Sequence, residues 1–316
     1  MAVNIDKPLF IVGVGRSGTT LLQSILNSHE NITFTPETHF FRFYLGNQKK
    51  SKVNKKKIIK EIEEDRYFQR LKIDTRKILE DYKSTNSMRL IDVYKRLLID
   101  YANSQEKMYV GDKDPKNIEL LHLIKKYFPG AIIIYMVRDP RDVIVSRMKA
   151  EWSRGRSIYA HIFAYKAQSL LAKKYGQMLF NENFIKVSYE KLLKEPESIL
   201  RPLCEHLGVE YTNTMLKFQQ SAKNLVSDDE MQWKKESIGP LLKNNTGKWK
   251  GNLSKYYLSL IEQTLKKSFI DERYTPSYSF KNINIFQFIN IKFLEIVYSI
   301  FSRLYVMNRV KSVKKI

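Results

Sequence analysis

The chain of 316 residues is long enough for one large α/β domain with insertions or for two modest domains, and its 43% hydrophobic and 12% aromatic content excludes a disordered chain. A formal net charge of +22 favours anionic partners, whether nucleotides, acidic glycans, phospholipid surfaces or nucleic acid, without choosing among them. The one cysteine, Cys204, excludes an internal disulfide and a thiolate metal cluster, and Met1 to Pro8 lack the apolar core of a signal peptide, so a cytoplasmic location is expected.

The first element is an apolar strand, Leu9-Phe10-Ile11-Val12, feeding Gly13-Val14-Gly15-Arg16-Ser17-Gly18-Thr19-Thr20-Leu21-Leu22. A strand, a glycine-rich turn and a helix make a nest of backbone N–H groups at a positive helix end, which holds phosphate. The spacing nearly matches the nucleotide-triphosphatase loop, but Thr19 stands where that loop carries its lysine. The cation for a terminal phosphoryl group is therefore missing, and a basic group sits inside the turn instead, at Arg16. Such a turn suits a nucleotide whose second group is not phosphoryl. The segment resembles the phosphosulfate loop of sulfotransferases that use 3′-phosphoadenosine 5′-phosphosulfate (PAPS), and its arginine form is closest to the tyrosylprotein and bacterial branches. That resemblance implies PAPS as co-substrate and cofactor contacts from Gly15, Arg16, Ser17, Gly18, Thr19 and Thr20.

Leu21, Leu22, Ile25 and Leu26 share one helical face, so the helix after the loop packs on a sheet with its N-terminus at the ligand. A second strand is expected at Ile32 to Thr35. It leads into Thr35-Pro36-Glu37-Thr38-His39-Phe40-Phe41, which resembles both the Glu-Glu-Thr element of tyrosylprotein sulfotransferases and the Glu-x-His-Phe-Phe element of heparan sulfate sulfotransferases. In both branches the glutamate is the proposed base, a role the resemblance gives to Glu37; His39 is the rival base or the group that orients Glu37.

Residues 46–107 break the strand–helix rhythm and read as a helical insertion or lid, opening on Lys49, Lys50, Lys52, Lys55, Lys56, Lys57 and Lys60. That lysine run is either a solvated face or a surface that draws in an anionic acceptor. The strand Met108 to Val110 then precedes Gly111-Asp112-Lys113-Asp114-Pro115-Lys116-Asn117, where Lys113 matches a family lysine set against the transferring sulfuryl group or else pairs with Asp112 or Asp114.

Ala131 to Val137 reads as a buried strand ending at Arg138, followed by a helix whose start is fixed by Asp139 as cap, Pro140 at the first position and Asp142 in the first turn. Arg138 at the strand end and Ser146 on the helix can clamp a second phosphate, and their spacing resembles the 3′-phosphate site of sulfotransferases; alternatively Arg138 and Asp142 form a structural ion pair. Beyond the strand Phe184 to Val187, Tyr189 matches a family position near the adenine. Asn245-Thr246-Gly247-Lys248-Trp249-Lys250-Gly251-Asn252 resembles the late loop that closes over the nucleotide, with Lys248 and Trp249 as its contacts and Lys250 as the alternative to Lys248.

Residues 283–316 form a basic amphipathic tail, in which Lys292 and Glu295 interrupt the apolar run and argue against a membrane-spanning helix. The tail either lies on an anionic membrane or docks on the domain. The whole reads as an α/β protein with a doubly wound parallel sheet, a sulfotransferase domain at 1–282 and the tail at 283–316.

By the resemblance, Glu37 takes the acceptor proton while Arg16 and Lys113 offset charge on the bridging and sulfuryl oxygens. No compact ligand cluster is visible in the spacing, so metal-free chemistry is expected. The acceptor is expected to be a glycan, a lipid or a small alcohol. The alternatives are a phosphate-loop small-molecule kinase and a basic membrane- or nucleic-acid-binding protein, though no recognised nucleic-acid motif is present.

Overall fold

The computed structural model describes residues 2–46, 55–85, 88–219, 239, 241–242, 244–277 and 283–314, the last four as backbone. Its centre is a five-stranded sheet in the order β2-β3-β1-β4-β5. The strands are β1 (Leu9–Gly13), β2 (Ile32–Phe34), β3 (Tyr109–Lys113), β4 (Ile132–Val137) and β5 (Phe184–Ser188). Every neighbouring pair is parallel, with Leu9 opposite both Gly111 and Ile132.

β1 and β4 are apolar on both faces because both faces are covered. Phe10 and Val12 join Ile133, Tyr135 and Val137 in one buried cluster, while Leu9 and Ile11 join Ile132, Ile134 and Met136 in another. The first cluster receives α2 (Lys55–Glu64), α3 (Arg66–Gln69), α4 (Arg76–Ser84), α5 (Leu90–Ser104) and α6 (Leu121–Tyr127). The second lies under α1 (Thr19–Asn27), and beyond β5 under α10 (Tyr189–Lys194) and α11 (Pro196–Leu207).

Between β4 and β5 run α7 (Pro140–Met148), α8 (Ile158–Leu171) and α9 (Gln177–Phe180); α12 (Lys255–Thr264), α13 (Lys266–Glu272) and α14 (Ile285–Lys314) complete the chain. α7, α8, α12, α13 and α14 share a third cluster around Val143, Ile162, Leu260, Phe269 and Ile291.

The described residues between β2 and β3 are mostly helical and belong to the main core: Ile58, Ile78, Tyr94 and Leu97 are buried with Phe10 of β1. Lys49, Lys50 and Lys52 lie outside the described residues. Lys55 has a structural task, its ammonium donating to the carbonyls of Tyr82, Thr85 and Met88 at the end of α4. β3 extends further than Met108 to Val110, so Lys113 is the last residue of a strand and not part of a loop.

The tail forms one 30-residue helix, α14. Ile285–Val310 is long and apolar enough by length and composition to cross a membrane. One face packs on α8 and α12 through Ile291, Tyr298, Ser302 and Val306, while Phe286, Ile289, Phe293, Ile296, Ile300 and Leu304 are exposed.

Candidate active site

The carboxyl ends of β1, β3 and β4 converge on a cavity of about 780 Å³, where ligands of open parallel sheets sit. Gly15, Arg16, Gly18, Thr19 and Thr20 line it from the first loop, Arg138 and Tyr189 from the ends of β4 and β5, and Glu37 and His39 from the turn after β2.

The loop bends through two left-handed residues, Arg16 at φ 81° and Gly18 at φ 94°. Gly18 is required twice over, because a Cβ there would also stand 2.3 Å from the Tyr189 ring. Ser17 is buried, its N–H donating to Val14 at 3.0 Å, so it shapes the turn from within.

The loop after β1 meets the segment that runs from the end of β4 into α7. Arg16 Nε donates to Ser146 Oγ at 3.0 Å, and Arg138 Nη1 donates to the Arg16 carbonyl at 3.3 Å. Arg138 also covers the Tyr189 ring at 4.2 Å and lies 3.7 Å from Asp142, the ion pair that the spacing offered as the alternative. Asp139 caps α7 through the Arg141 N–H, as its sequence predicts.

Asp142 has a task its spacing does not reveal. Its two oxygens accept the N–H groups of Gly247 at 2.8 Å and Trp249 at 2.9 Å, fastening the late loop to α7. Burial raises the pKa of this carboxyl, while Arg138 and the two N–H groups oppose the shift. Asn245 completes the join: its side chain donates to the Tyr189 hydroxyl at 2.8 Å, and its carbonyl accepts from Arg138 at 3.2 Å. The Trp249 ring lies 4.1 Å from the Arg141 guanidinium, and the Lys248 side chain is exposed. Neither belongs to the cavity wall, although both sit in the loop that Asp142 anchors.

The reacting end is built on β3 and the turn after β2. Gln23 donates to the Thr35 carbonyl at 3.0 Å, the Thr35 N–H donates to Gly111 at 3.0 Å, and Phe40 stacks on Tyr94 at 4.6 Å, which fixes Glu37 between them. Lys113, 1% exposed, makes an ion pair with Glu37 Oε1 and donates to Thr20 Oγ1 at 3.2 Å. His39 Nδ1 is 2.7 Å from Asp114 Oδ2, and its Nε2 is 3.8 Å from Glu37 Oε2. Burial alone would raise the Asp114 pKa, but the His39 hydrogen bond and charge bring it below the usual carboxylate range. Glu37, His39 and Asp114 thus offer ligand atoms within 4.8 Å of one another, a cluster that the spacing does not show. Lys113 on Glu37 and Arg42, 3.9 Å from Asp114, bring positive charge to it.

The sulfotransferase family profile matches residues 8–213, well over half of the chain. The chain belongs to the sulfotransferase family. This sulfotransferase is 26% identical over 223 residues to protein-tyrosine sulfotransferase 1 of Danio rerio, covering 69% of this chain and 58% of that protein, so it spans little more than half of that relative's length. Its fold is that of the sulfotransferase domain of the Synechococcus PCC 7002 olefin synthase, with TM-score 0.61 and 19% identity over 85% of this chain and 95% of that one. The sulfotransferase domain of the curacin biosynthetic pathway shares the fold at TM-score 0.56 and 22% identity, over 78% of this chain and 92% of that one.

The sequence motifs miss the far wall of the cavity in this sulfotransferase. Arg42, Arg66, Tyr67 and Arg70 enter from the helical segment, and Arg147, Trp152 and Arg156 from α7 and the turn after it. No local pattern marks them, since each is an ordinary basic or aromatic residue until the sheet brings it to the cavity.

Proposed function

We propose that this sulfotransferase moves the sulfuryl group of PAPS to a hydroxyl or amine of its acceptor by in-line displacement, with Glu37 as the base. The observation that carries this reading is the string Thr20, Lys113, Glu37, which joins the phosphate-binding loop directly to a carboxylate at the cavity. The loop and its helix end hold the 5′-phosphosulfate, and Arg138 with Ser146 holds the 3′-phosphate. Arg16 and Lys113 stabilise negative charge as the sulfur–oxygen bond to the nucleotide breaks and the acceptor oxygen or nitrogen bonds to sulfur. Lys113 pairs with Glu37 in the structure; a sulfuryl group gives it a second anion and leaves Glu37 to accept the acceptor's proton. The Asp114–His39 pair supports a second reading, in which His39 is the base and Glu37 positions it.

Calorimetry with adenosine 3′,5′-bisphosphate, set against ATP with magnesium, tests the donor: preference for ATP would sink the reading in favour of a kinase. Labelled PAPS in a native extract, with Glu37→Gln as control, tests the base. Transfer that survives Glu37→Gln and is lost in His39→Gln would move the role to His39.

We also infer peripheral contact with an anionic membrane surface through α14. Its exposed Phe286, Phe293, Ile296 and Ile300 run beside the exposed Arg303, the pairing of apolar stripe and cation expected of an interfacial helix, and the +22 charge acts in the same direction. On this reading the enzyme sits peripherally at the cytoplasmic face of a membrane, and its acceptor is a glycan, a lipid or a small alcohol.

A further inference from the structure

The cavity also has a basic region of wall that neither phosphate motif uses. Lys116, Arg147 and Arg156 form one part of its wall, and Glu119 the acidic part. Glu119 is already engaged: it accepts from Tyr305 at 2.7 Å, Arg309 at 2.9 Å and Gln168 at 2.8 Å. The region's charge is therefore positive where a ligand would enter.

Arg147 is the group without an answer. It is 6% exposed, yet among the described residues no carboxylate lies within 4.0 Å of it. Its Nε donates to His161 Nδ1 at 3.3 Å, and its guanidinium lies 5.2 Å from the Trp152 ring. His161 brings no negative charge, and burial, with Arg147 and Arg156 beside it, pushes its pKa down to about 4. Burial and Arg156 likewise pull the Arg147 pKa down to about 10, against the opposing attraction of Glu119, which leaves it cationic at neutral pH. The direct contacts of this buried guanidinium are a neutral imidazole and a ring, and Glu119, which attracts it from beyond ion-pair distance, already holds Arg309, so an anion that joins it offsets a desolvation cost.

Its position separates it from the nucleotide clamp. Arg147 follows Ser146 on α7, about 100° further round the helix, and faces α8 and Trp152, whereas Arg138 faces Tyr189 and Asn245. Its Nη1 is 3.3 Å from where a Gly15 Cβ would stand, so the guanidinium borders the loop at Gly15, whereas the Tyr189 ring borders it at Gly18.

We propose that Arg147, flanked by Arg156 and Lys116, is a subsite for an oxyanion carried by the acceptor, a phosphate or sulfate ester close to the group that receives the sulfuryl. This rests on the sulfotransferase reading and names the acceptor's chemistry within it: an anionic molecule bearing a free hydroxyl or amine. A guanidinium fork matches the paired oxygens of such a group, and Trp152 holds the fork's plane. The same phosphate chemistry comes from a soluble phosphate ester or from a lipid headgroup.

The test uses the full chain saturated with adenosine 3′,5′-bisphosphate and titrated with glycerol 3-phosphate or with monomeric dihexanoyl-phosphatidylglycerol. Binding of either that weakens at least tenfold in Arg147→Gln, with bisphosphate affinity within threefold of wild type, supports the subsite; the probe that binds identifies the source. The exposed Arg156→Gln variant, which leaves the core untouched, is expected to weaken the same probe about threefold or more. Bisphosphate affinity that falls tenfold in Arg147→Gln would return Arg147 to the nucleotide and overturn the proposal. So would bisphosphate binding with no response to either probe. Failure of the wild type to bind bisphosphate at all is a separate result, and it would remove the sulfotransferase reading instead.

Discussion

Lys113 and Glu37 form an ion pair at the end of β3, with Thr20, at the start of α1, on the same ammonium. The pair couples stability to chemistry, since Lys113 is fully buried and Glu37 is the group at the cavity. Glu37→Ala is expected to cost about 3–5 kcal/mol in unfolding free energy, because it removes the carboxylate partner of a buried charge. Glu37→Gln keeps an acceptor for Lys113 and should cost less, yet lower kcat by about 10²–10⁴. Denaturant titration of both variants, with turnover of labelled PAPS for the second, checks the separation; equal activity in Glu37→Gln and wild type would end the base assignment.

Asp142 ties the late loop to α7 through Gly247 and Trp249 and sits beside Arg138. Asp142→Ala is expected to weaken adenosine 3′,5′-bisphosphate binding by about tenfold or more, since it frees two loop amides and removes the neighbour that orients Arg138. Lys248→Ala, a change at an exposed side chain, should cost less than Asp142→Ala. Calorimetry on the two variants ranks them, and the reverse order would show that the lysine, not the anchored loop, carries the contact.

His161 makes stability depend on pH. Its pKa is near 6.5 when unfolded and about 4 when folded, so above pH 6.5 both states are neutral and nothing changes. As pH falls from 6.5 towards 4 the unfolded chain takes up a proton that the native site refuses, and the contribution of His161 to stability drops. Asp112 acts in the opposite sense, because burial, then Asp114, raises its pKa to about 6, so protonation on acidification relieves the fold. Comparison with His161→Asn cancels the Asp112 contribution. The difference in unfolding free energy, wild type minus variant, should fall by about 1–2 kcal/mol between pH 7.5 and pH 5; a flat difference would contradict the neutral, buried imidazole.

The exposed face of α14 predicts lipid-dependent partitioning. Phe293→Ser with Ile296→Ser leaves the packed residues Ile291, Tyr298 and Val306 in place. Cosedimentation with vesicles of equal phosphatidylglycerol and phosphatidylcholine should fall about tenfold in this variant, and wild-type binding should weaken with salt. A salt-independent dimer that the same substitutions dissolve would show that a second copy, not a membrane, covers the stripe.

The strand–turn–helix at residues 9–22 and the strand–arginine–helix at 132–146 could be read directly because each is local: apolar runs, glycines and a cap set the backbone within a few residues. Pattern also sufficed for the parallel sheet, since buried strands alternated with amphipathic helices. It placed Glu37, Arg138 and Ser146 at strand ends or on the helix beyond, where ligands collect. Pattern did not extend to contacts between distant segments. Asp142 reads as a helix-start carboxylate, and only folding brings Gly247 and Trp249 to it. Glu37, His39 and Asp114 are one cluster because β2 and β3 are neighbours. Arg147 is one more basic residue among 55 lysines and arginines until α8 and Trp152 close around it. The sequence by itself determined the family, the sheet and the strand ends at which the loop residues, Glu37 and Arg138 stand, because short-range backbone geometry and burial pattern are written locally. Tertiary structure alone decided which charges are left without a counter-charge, because desolvation and ion pairing depend on what packs around a residue and not on its neighbours in the chain.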